Sequence, residues 1–241
     1  MGMSILAIDQ GTSGSKAVLL DDELKVIKSG YAPLATQHTQ AGAAQTTGEL
    51  LWQSVVDAIE QVITGNHSKI DAISLANQGE SILAWDRQSA TPLTPVIIWQ
   101  DSRSAQLCQE RKEHSEFVLS KTGLTIDPYF VAPKITWLKQ QYPNLPKSAV
   151  ITTTDTFLIY KLTGEFVTDK ATASRSLLFD LASLSWEQQL ADIWQLDIQT
   201  LPTLVSNDQI IGQIACDQLP ALNGLPLASA IVDQAAALFA Q

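Results

Sequence analysis

The densest group of side chains able to do chemistry lies in residues 9–16, Asp9-Gln10-Gly11-Thr12-Ser13-Gly14-Ser15-Lys16. Glycines let backbone N–H groups approach phosphate oxygens, hydroxyls can donate to the same oxygens, and a carboxylate can hold Mg²⁺ directly or through water. The spacing matches neither a P-loop nor a G-x-G-x-x-G dinucleotide-binding motif. Taken alone, an ordinary polar hairpin is the commoner explanation, so a phosphate site and a hairpin both stay open here.

Further polar groups stand at the ends of predicted strands, some of them beside an aromatic residue. They lie in Asn77-Gln78-Gly79-Glu80, in Trp99-Gln100-Asp101-Ser102-Arg103, in Asp127-Pro128-Tyr129-Phe130 and at Asp233. Each also has a purely structural interpretation. Asp101 and Arg103 can form a surface ion pair worth about 0–1 kcal/mol. Residues 127–130 are typical of a turn, and Asp233 can be a helix N-cap. None of these segments identifies a chemistry by itself.

The elements that must position these groups are predicted to be strands alternating with helices. Residues 4–8, 17–20 and 25–27 are predicted strands whose connections are too short for a helical crossover, which indicates an antiparallel meander. Thr46 and Glu49 match a capping box for a helix that ends near residue 65. Further helices are predicted over 104–119, 133–141, 156–162 and 187–194, with strands at 72–76, 82–85, 96–99, 166–168, 177–179 and 229–232. This alternation predicts an α/β fold with helices flanking a sheet, in one domain over residues 1–241.

Composition excludes several classes of function. The chain has 241 residues, 45% of them hydrophobic, and a net charge of -10, which argues against nucleic acid or an anionic membrane surface as partner. No apolar run approaches the roughly 18 to 20 residues that span a bilayer. The first residues carry no basic region, so we expect no secretory signal, and two cysteines cannot form a disulfide framework. These features predict a soluble protein of a reducing compartment, the cytoplasm.

Six segments considered together are far more specific than any one of them. Their order along the chain is Ile8-Asp9-Gln10-Gly11-Thr12-Ser13, Asn77-Gln78-Gly79-Glu80, Trp99-Gln100-Asp101-Ser102-Arg103, Thr122-Gly123-Leu124-Thr125-Ile126-Asp127-Pro128-Tyr129-Phe130, Ala173-Ser174-Arg175-Ser176-Leu177-Leu178-Phe179 and Asp233-Gln234-Ala235-Ala236-Ala237-Leu238-Phe239. In these segments the chain resembles the amino-terminal domain of the FGGY carbohydrate kinases, most closely their glycerol kinase branch. The resemblance covers essentially the whole chain.

The resemblance implies an actin-like, ribonuclease-H-like domain of a two-domain, ATP-dependent kinase whose carboxy-terminal domain is absent from this chain. It implies that Asp9 serves Mg²⁺ and that Asp233 is the catalytic base and a second metal-binding residue. The transferring phosphate would be contacted by the residues Gly11, Thr12, Ser13 and Lys16. The pocket for a polyol or sugar would be lined by Gly79, Glu80, Trp99, Tyr129 and Gln234. The missing half and the substrate are then the expected partners, and the oligomeric state stays open, a homo-oligomer included.

Two positions depart from the glycerol kinase pattern. Glycerol kinases have arginine where this chain has Gly79, and glycine where it has Val232. Loss of the arginine would remove a hydrogen bond to a terminal hydroxyl and vacate the volume of a long side chain, so we expect a substrate larger than glycerol. Lys134 or Arg103 could instead fill that volume. The alternative from another class is a catalytically inactive polyol-binding or structural actin-like module, since fold alone does not define function.

Overall fold

The computed structural model describes residues 2–39, 41–66 and 68–241. The strands in these residues are β1 (Ile5–Gln10), β2 (Gly14–Leu20), β3 (Val26–Pro33), β4 (Gln37–His38), β5 (Ala44–Thr46), β6 (Ala72–Asn77), β7 (Ile82–Asp86), β8 (Thr91–Pro92), β9 (Val96–Ile97), β10 (Ala149–Thr153), β11 (Val167–Asp169), β12 (Phe179–Asp180), β13 (Ser185–Trp186), β14 (Thr203–Val205), β15 (Gly212–Gln213) and β16 (Pro226–Val232). The α-helices are α1 (Gly48–Ile63), α2 (Ala105–Glu110), α3 (Ser115–Thr122), α4 (Val131–Gln141), α5 (Thr154–Thr163), α6 (Lys170–Ser174), α7 (Gln188–Ile193) and α8 (Asp233–Phe239).

The main sheet has the strand order β15-β16-β6-β1-β2-β3. Strands β1, β2 and β3 form the antiparallel meander predicted from their short connections. Strand β6 then lies parallel to β1 on one side and parallel to β16 on the other. Because parallel strands end at the same edge of a sheet, the carboxyl ends of β1, β6 and β16 meet at one edge. The mixed sheet flanked by helices confirms the predicted fold class.

A second sheet has the order β10-β7-β9-β5-β4, with β8 paired to β7. Two hydrophobic cores support the sheets. One packs helices α1 and α5 against the main sheet and includes buried Leu6, Ile59 and Phe157. The other surrounds α4 and α7 and includes Leu138 and Trp194. Among the described residues, no helix has the length and apolar character needed to cross a membrane.

Helix α1 is the best developed amphipathic helix, and its start differs by one residue from the prediction. The N-cap is Thr47, whose hydroxyl accepts the backbone N–H of Leu50, so the capping box expected at Thr46 was wrong. Thr46 instead ends β5 and donates its hydroxyl to the carbonyl of Ala35 at 2.7 Å.

Near the other end of α1, the side-chain amide of Gln61 donates to the carbonyl of Tyr31 and accepts the N–H of Tyr31. These two bonds occupy part of the outer edge of β3.

The continuous helix predicted over 104–119 was also wrong. The chain forms α2, a 3₁₀ turn at Lys112–His114 and α3. Residues 109–116 are all polar, so no apolar face holds this stretch against the core. Arg111 stabilises the break, because its guanidinium donates to the carbonyls of Leu107 and Ile193. Helices α4, α5 and α7 and strand β6 lie within about two residues of their predicted bounds.

Candidate active site

The ends of three parallel strands bring the predicted site residues to one edge of the main sheet. In register, Asp9 of β1 lies opposite Ala76 of β6, and Ala76 lies opposite Ile231 of β16. Asp233 follows β16 directly, and the 77–80 segment follows β6. The sheet therefore brings segments separated by more than 200 residues in sequence to a common edge, about two strand spacings (~10 Å) across.

The loop that ends β1 is a tight reversal into β2. The N–H of Gly11 donates to the carbonyl of Gly14 at 2.9 Å, and Asp9 lies opposite Lys16 in the antiparallel register. The Asp9 side chain is exposed, yet partial burial raises the pKa of its carboxyl, and the charge of Lys16 opposes that rise. The hydroxyl of Thr12 is engaged by the protein, because it accepts the indole N–H of Trp99 at 2.8 Å.

Asp233 is the first residue of α8 and is half-buried. Its carboxylate accepts the backbone N–H of Gln234 at 2.8 Å. Desolvation raises the pKa of Asp233, and the negative charge of Asp9 raises it further. The two carboxylates therefore repel each other. Such a pair is stabilised by a proton or a cation.

The donor set at this edge fits Mg²⁺. The described residues contain no cluster of three or more His, Cys, Asp or Glu side chains that could enclose a metal ion. Mg²⁺ usually keeps several waters and binds through one or two carboxylates together with substrate phosphates, rather than in an all-protein cage. Two mutually repelling carboxylates beside a loop able to receive phosphate match that preference.

Glu80 is the most constrained side chain of the site. It is fully buried and adopts a left-handed backbone conformation (φ 55°), which is rare for a residue with a side chain. Its Oε1 accepts the Nε–H of Arg175 at 2.6 Å, while its Oε2 has no hydrogen-bond partner among the described residues. Desolvation raises the pKa of Glu80 and the Arg175 guanidinium opposes that rise. A buried carboxylate oxygen without a partner is suited to accept a ligand hydroxyl.

Arg175 is the residue that sequence reasoning missed. The sequence suggested Lys134 or Arg103 as the cation near Gly79, yet Arg175 contacts Glu80. It follows the short helix α6, whose N-cap Asp169 accepts the backbone N–H of Thr172. The guanidinium lies 5.0 Å from the ring centroid of Phe130. The only signal was its place inside the 173–179 segment, which carried the resemblance but no assigned role.

The two cations that were suggested serve other contacts. The guanidinium of Arg103 binds the buried Asp101 at 2.7 Å and lies over the ring of Trp137. Lys134 is fully buried, and its Nζ donates to the carbonyls of Tyr129 and Phe130. Desolvation lowers the pKa of Lys134 to about 7, against the attraction of nearby carboxylates of which Glu80 is the strongest. Lys134 therefore holds the turn that carries Tyr129.

The aromatic side of the pocket is formed by Trp99 and Tyr129. Their ring centroids are 5.8 Å apart at an angle of 62°, and Tyr129 makes a similar edge contact with Phe130. Burial raises the pKa of Tyr129, with a further rise from the charge of Glu80. Trp99 follows β9, which ends at Ile97, so the predicted 96–99 strand is two residues shorter. The rings provide an apolar wall beside the Glu80 carboxylate.

The space expected beside Gly79 is already occupied. A Cβ added to Gly79 would lie 2.9 Å from Cγ2 of Val232 and 3.1 Å from Oε1 of Gln234. Even the Cβ of a side chain at residue 79 would therefore crowd Val232. The expectation that Gly79 vacates the volume of a long side chain was wrong. The two departures from the glycerol kinase pattern, Gly79 and Val232, lie in contact with each other and form one packing unit.

Comparison with known proteins identifies the family of the chain. The sequence profile of the N-terminal domain of the FGGY family of carbohydrate kinases matches residues 4–240, and the chain belongs to this family. Glycerol kinase from Trichodesmium erythraeum (strain IMS101) is 37% identical over 248 residues, which cover 98% of this chain and 49% of the relative.

Solved structures show the same fold. Glycerol kinase from Plasmodium falciparum, in its crystal structure with ADP, superimposes with a TM-score of 0.90 at 28% identity over 97% of this chain and 49% of that one. A ligand-bound xylulose kinase from Lactobacillus acidophilus superimposes with a TM-score of 0.87 at 25% identity, over 96% of this chain and 48% of that one. The chain spans about half the length of these relatives. The family expected from the six segments is confirmed.

Proposed function

We propose that the chain is the amino-terminal half of an ATP-dependent kinase that transfers the γ-phosphoryl group of ATP to a hydroxyl of a polyol or sugar. The observation that carries the proposal is the common edge that holds Asp9 and Asp233, with the pocket of the buried Glu80 beside it. Phosphoryl transfer requires positioning, charge neutralisation and a carboxylate that accepts the proton of the attacking hydroxyl. Each requirement has a candidate at this edge.

Asp233 is the proposed catalytic base. Its raised pKa brings it closer to the value at which a general base is efficient. Asp9 is the proposed ligand of Mg²⁺, directly or through water, and Asp233 would share that ion. Bound Mg²⁺ would neutralise the charge that develops on the phosphate oxygens.

The loop between β1 and β2 is the proposed phosphate site. Thr12 and Ser13 offer main-chain N–H groups, whereas the N–H of Gly11 already donates to the carbonyl of Gly14 within the loop. Lys16 offers a charge beside Asp9 in the strand register. The side chain of Thr12 is already hydrogen-bonded to Trp99, so we assign its phosphate contact to the main chain. Lys16 is exposed and can extend toward a phosphate.

The acceptor pocket is proposed to hold a polyol or sugar between Glu80 and the two aromatic rings. Oε2 of Glu80 accepts a substrate hydroxyl, and the Arg175 contact fixes the carboxylate in the orientation that allows it. Trp99 and Tyr129 cover the C–H face. Gln234, beside Gly79, offers an amide to another hydroxyl. A substrate larger than glycerol remains part of the proposal, although the room for it must lie away from Val232.

A second, carboxy-terminal domain is proposed to close the cleft and complete the ATP site. The chain spans about half of the relatives it matches, so this domain is the expected partner in the same or another polypeptide. A kinase that uses ATP would act in the cytoplasm, which we include in the proposal.

The experiment is to combine this chain with the carboxy-terminal half of the Trichodesmium erythraeum glycerol kinase and to measure ATP-dependent phosphorylation. The substrate panel comprises glycerol and four- and five-carbon polyols and ketoses. We expect turnover by the combined halves and negligible turnover by either half alone. The matched control combines the two halves of the Trichodesmium enzyme itself. If that control is active while this chain phosphorylates nothing, the chain is an inactive binding or structural module.

A further inference from the structure

A buried network of side-chain amides joins the phosphate loop to the acceptor pocket. At its centre is Gln78, which follows β6 and is buried. Its Oε1 accepts the hydroxyls of Thr12 and Ser81, each at 3.2 Å, and its Nε2 donates to Oε1 of Gln10 at 3.2 Å. Thr12 belongs to the loop after β1, while Ser81 immediately follows Glu80. One amide therefore contacts both parts of the site.

The directions of the hydrogen bonds from Gln10 through Gln78 to Thr12 are fixed from one end. A carbonyl can only accept, so the amide nitrogen of Gln10 must face the carbonyl of Gly11, to which it donates at 2.6 Å. The oxygen of Gln10 then faces Gln78 and requires a donor there. This requirement turns the nitrogen of Gln78 toward Gln10 and its oxygen toward the hydroxyl of Thr12.

Thr12 is left with no proton to give to a phosphate. The indole N–H of Trp99 can only donate, and it donates to Oγ1 of Thr12 at 2.8 Å. The single hydroxyl proton of Thr12 points to Gln78. Trp99 is held at a second point, because its backbone N–H donates to the hydroxyl of Ser81 at 3.2 Å. The ring that covers the acceptor pocket is thus tied to the loop and to Gln78.

We propose that Gln78 is a positioning residue, which with Thr12 and Trp99 fixes the acceptor pocket at a set distance from the phosphate loop. The inference rests on the proposed function, because it gives the two ends of the network their roles. Gln78 and Gln10 are buried, so water does not compete for these bonds. A shift of the Trp99 ring on substrate binding must move the hydroxyl of Thr12 and hence the loop.

The link itself is tested in the 241-residue chain by NMR, with no need for activity. Trp99 has an indole N–H signal that is identified by its loss in Trp99→Phe. We expect Thr12→Val to shift this signal and to speed its hydrogen exchange about tenfold, while Thr12→Ser, which keeps the hydroxyl, leaves it near the wild-type value. An indole signal unchanged in Thr12→Val overturns the inference.

Transmission along the link is tested by a double-mutant cycle on the same spectra. Trp99→Phe should shift the backbone amide signals of residues 11 and 12 in the wild-type chain, and should shift them much less in the Thr12→Val or Gln78→Met background. Equal shifts in all three backgrounds overturn the positioning role. The matched control is Thr152→Val. It removes the hydroxyl that accepts the indole N–H of Trp85 at 2.9 Å, the same kind of bond, and should leave the loop signals unchanged.

Kinetics of the combined halves then separates this inference from the proposed function. Trp99→Phe and Thr12→Val should each lower kcat/KM for the acceptor about tenfold, a typical effect of one lost hydrogen bond that leaves a partner unpaired. The double variant should lose about tenfold in total, whereas independent roles would give about a hundredfold loss and contradict the link. If the wild-type halves are inactive, the proposed function fails, and the NMR cycle still decides whether the link exists.

Discussion

The carboxylates at the open edge of the site differ sharply from the one inside its pocket. Asp9 and Asp233 are exposed or half-buried, lie at the carboxyl ends of two parallel strands that are separated by β6, and repel each other. Glu80 is fully buried, strained in its backbone and held by Arg175 at 2.6 Å. The two carboxylates at the edge are accessible to a ligand, whereas the carboxylate in the pocket is held in one orientation by its ion pair with Arg175. In the proposed function, the same chemical group, a carboxylate, would serve proton transfer and metal binding in one place and hydroxyl recognition in the other.

The largest expected effect tests the role given to the edge. Asp233→Asn keeps the size of the side chain and removes its ability to accept a proton. Loss of a positioned general base typically costs about 10²- to 10⁴-fold in rate, so kcat of the combined halves should fall by that factor with little change in acceptor KM. Steady-state kinetics measures both constants.

The matched control for that variant is Asp208→Asn, which changes an exposed aspartate outside the edge. It should leave both constants within about twofold of wild type. Near-normal kcat in Asp233→Asn would mean that Asp233 serves only to begin α8 and to accept the N–H of Gln234.

The next largest effect tests the ion pair between Arg175 and Glu80 in the pocket. Arg175→Met leaves the ionised Glu80 buried without its guanidinium, and breaking a partly buried pair in this way should cost about 2 kcal/mol of unfolding free energy. The pKa of Glu80 is higher in the folded than in the unfolded chain. The free energy of unfolding therefore falls as pH rises from the unfolded to the folded pKa value. The loss in Arg175→Met should therefore be larger at pH 8 than at pH 5.

Urea unfolding at the two pH values measures the Arg175→Met effect. Glu80→Gln in the same background should remove most of the pH dependence, because a neutral amide needs no counter-charge. The control Arg87→Met removes a guanidinium that lies over Phe166 on an exposed face. A loss that is identical at pH 5 and pH 8 would show that Arg175 acts through packing on Phe130 instead of through the charge of Glu80.

The two regions also differ in how much of them the sequence could predict. The part of the edge formed by β1 and β2 was predictable, because both strands contain short apolar runs, the turn between them is short, and Asp9 stands at a strand end. Such contacts are local or follow from strand order. The pocket was predicted only in part. Its aromatic residues lay in the segments that carried the family resemblance, yet the partner of Glu80 lies 95 residues away.

What could not be predicted depends on tertiary contacts that leave no local pattern. A lysine four residues after Phe130 looks like an exposed helix residue, and only the packing of α4 shows that Lys134 is buried. The crowding beside Gly79 is likewise invisible, because Val232 comes from a strand 153 residues later. The capping residue of α1 differed by one position, since Thr46 and Thr47 are chemically equivalent caps and the pairing of β5 decided between them.

A smaller effect concerns Lys134 in the pocket and the pH dependence of the free energy of unfolding. The pKa of Lys134 is lowered from 10.5 to about 7, so between these values the unfolded chain binds a proton that the folded chain does not. Unfolding free energy should therefore rise with pH above about 7, by at most about 1.4 kcal/mol per pH unit from this group. Lys134→Met should lack that rise.

Urea titrations at pH 7, 8 and 9 measure the Lys134 contribution as a difference in slope between wild type and Lys134→Met. The range stops at pH 9 because ionisation of Cys108 in the unfolded chain then adds an opposite slope, its folded pKa being raised to about 12 by burial. Lys139→Met, on the exposed side of the same helix, is the control and should keep the wild-type slope. Equal slopes in all three proteins would mean that Lys134 stays charged in the fold.

The smallest effect concerns Gly79 and Val232, where the pocket meets the edge. Any side chain at residue 79 must displace Cγ2 of Val232, and overpacking of this kind typically costs about 1–3 kcal/mol. Gly79→Ala should therefore destabilise the chain by about 1 kcal/mol, and Val232→Gly in the same chain should recover most of the overpacking cost. The recovery is judged against Val232→Gly alone, because that change also weakens β16.

The same contact between residues 79 and 232 should affect specificity. Gly79→Arg should raise kcat/KM for glycerol relative to five-carbon acceptors only when combined with Val232→Gly. If Gly79→Arg alone favours glycerol and unfolds like wild type, Val232 yields freely and the two positions are not one packing unit.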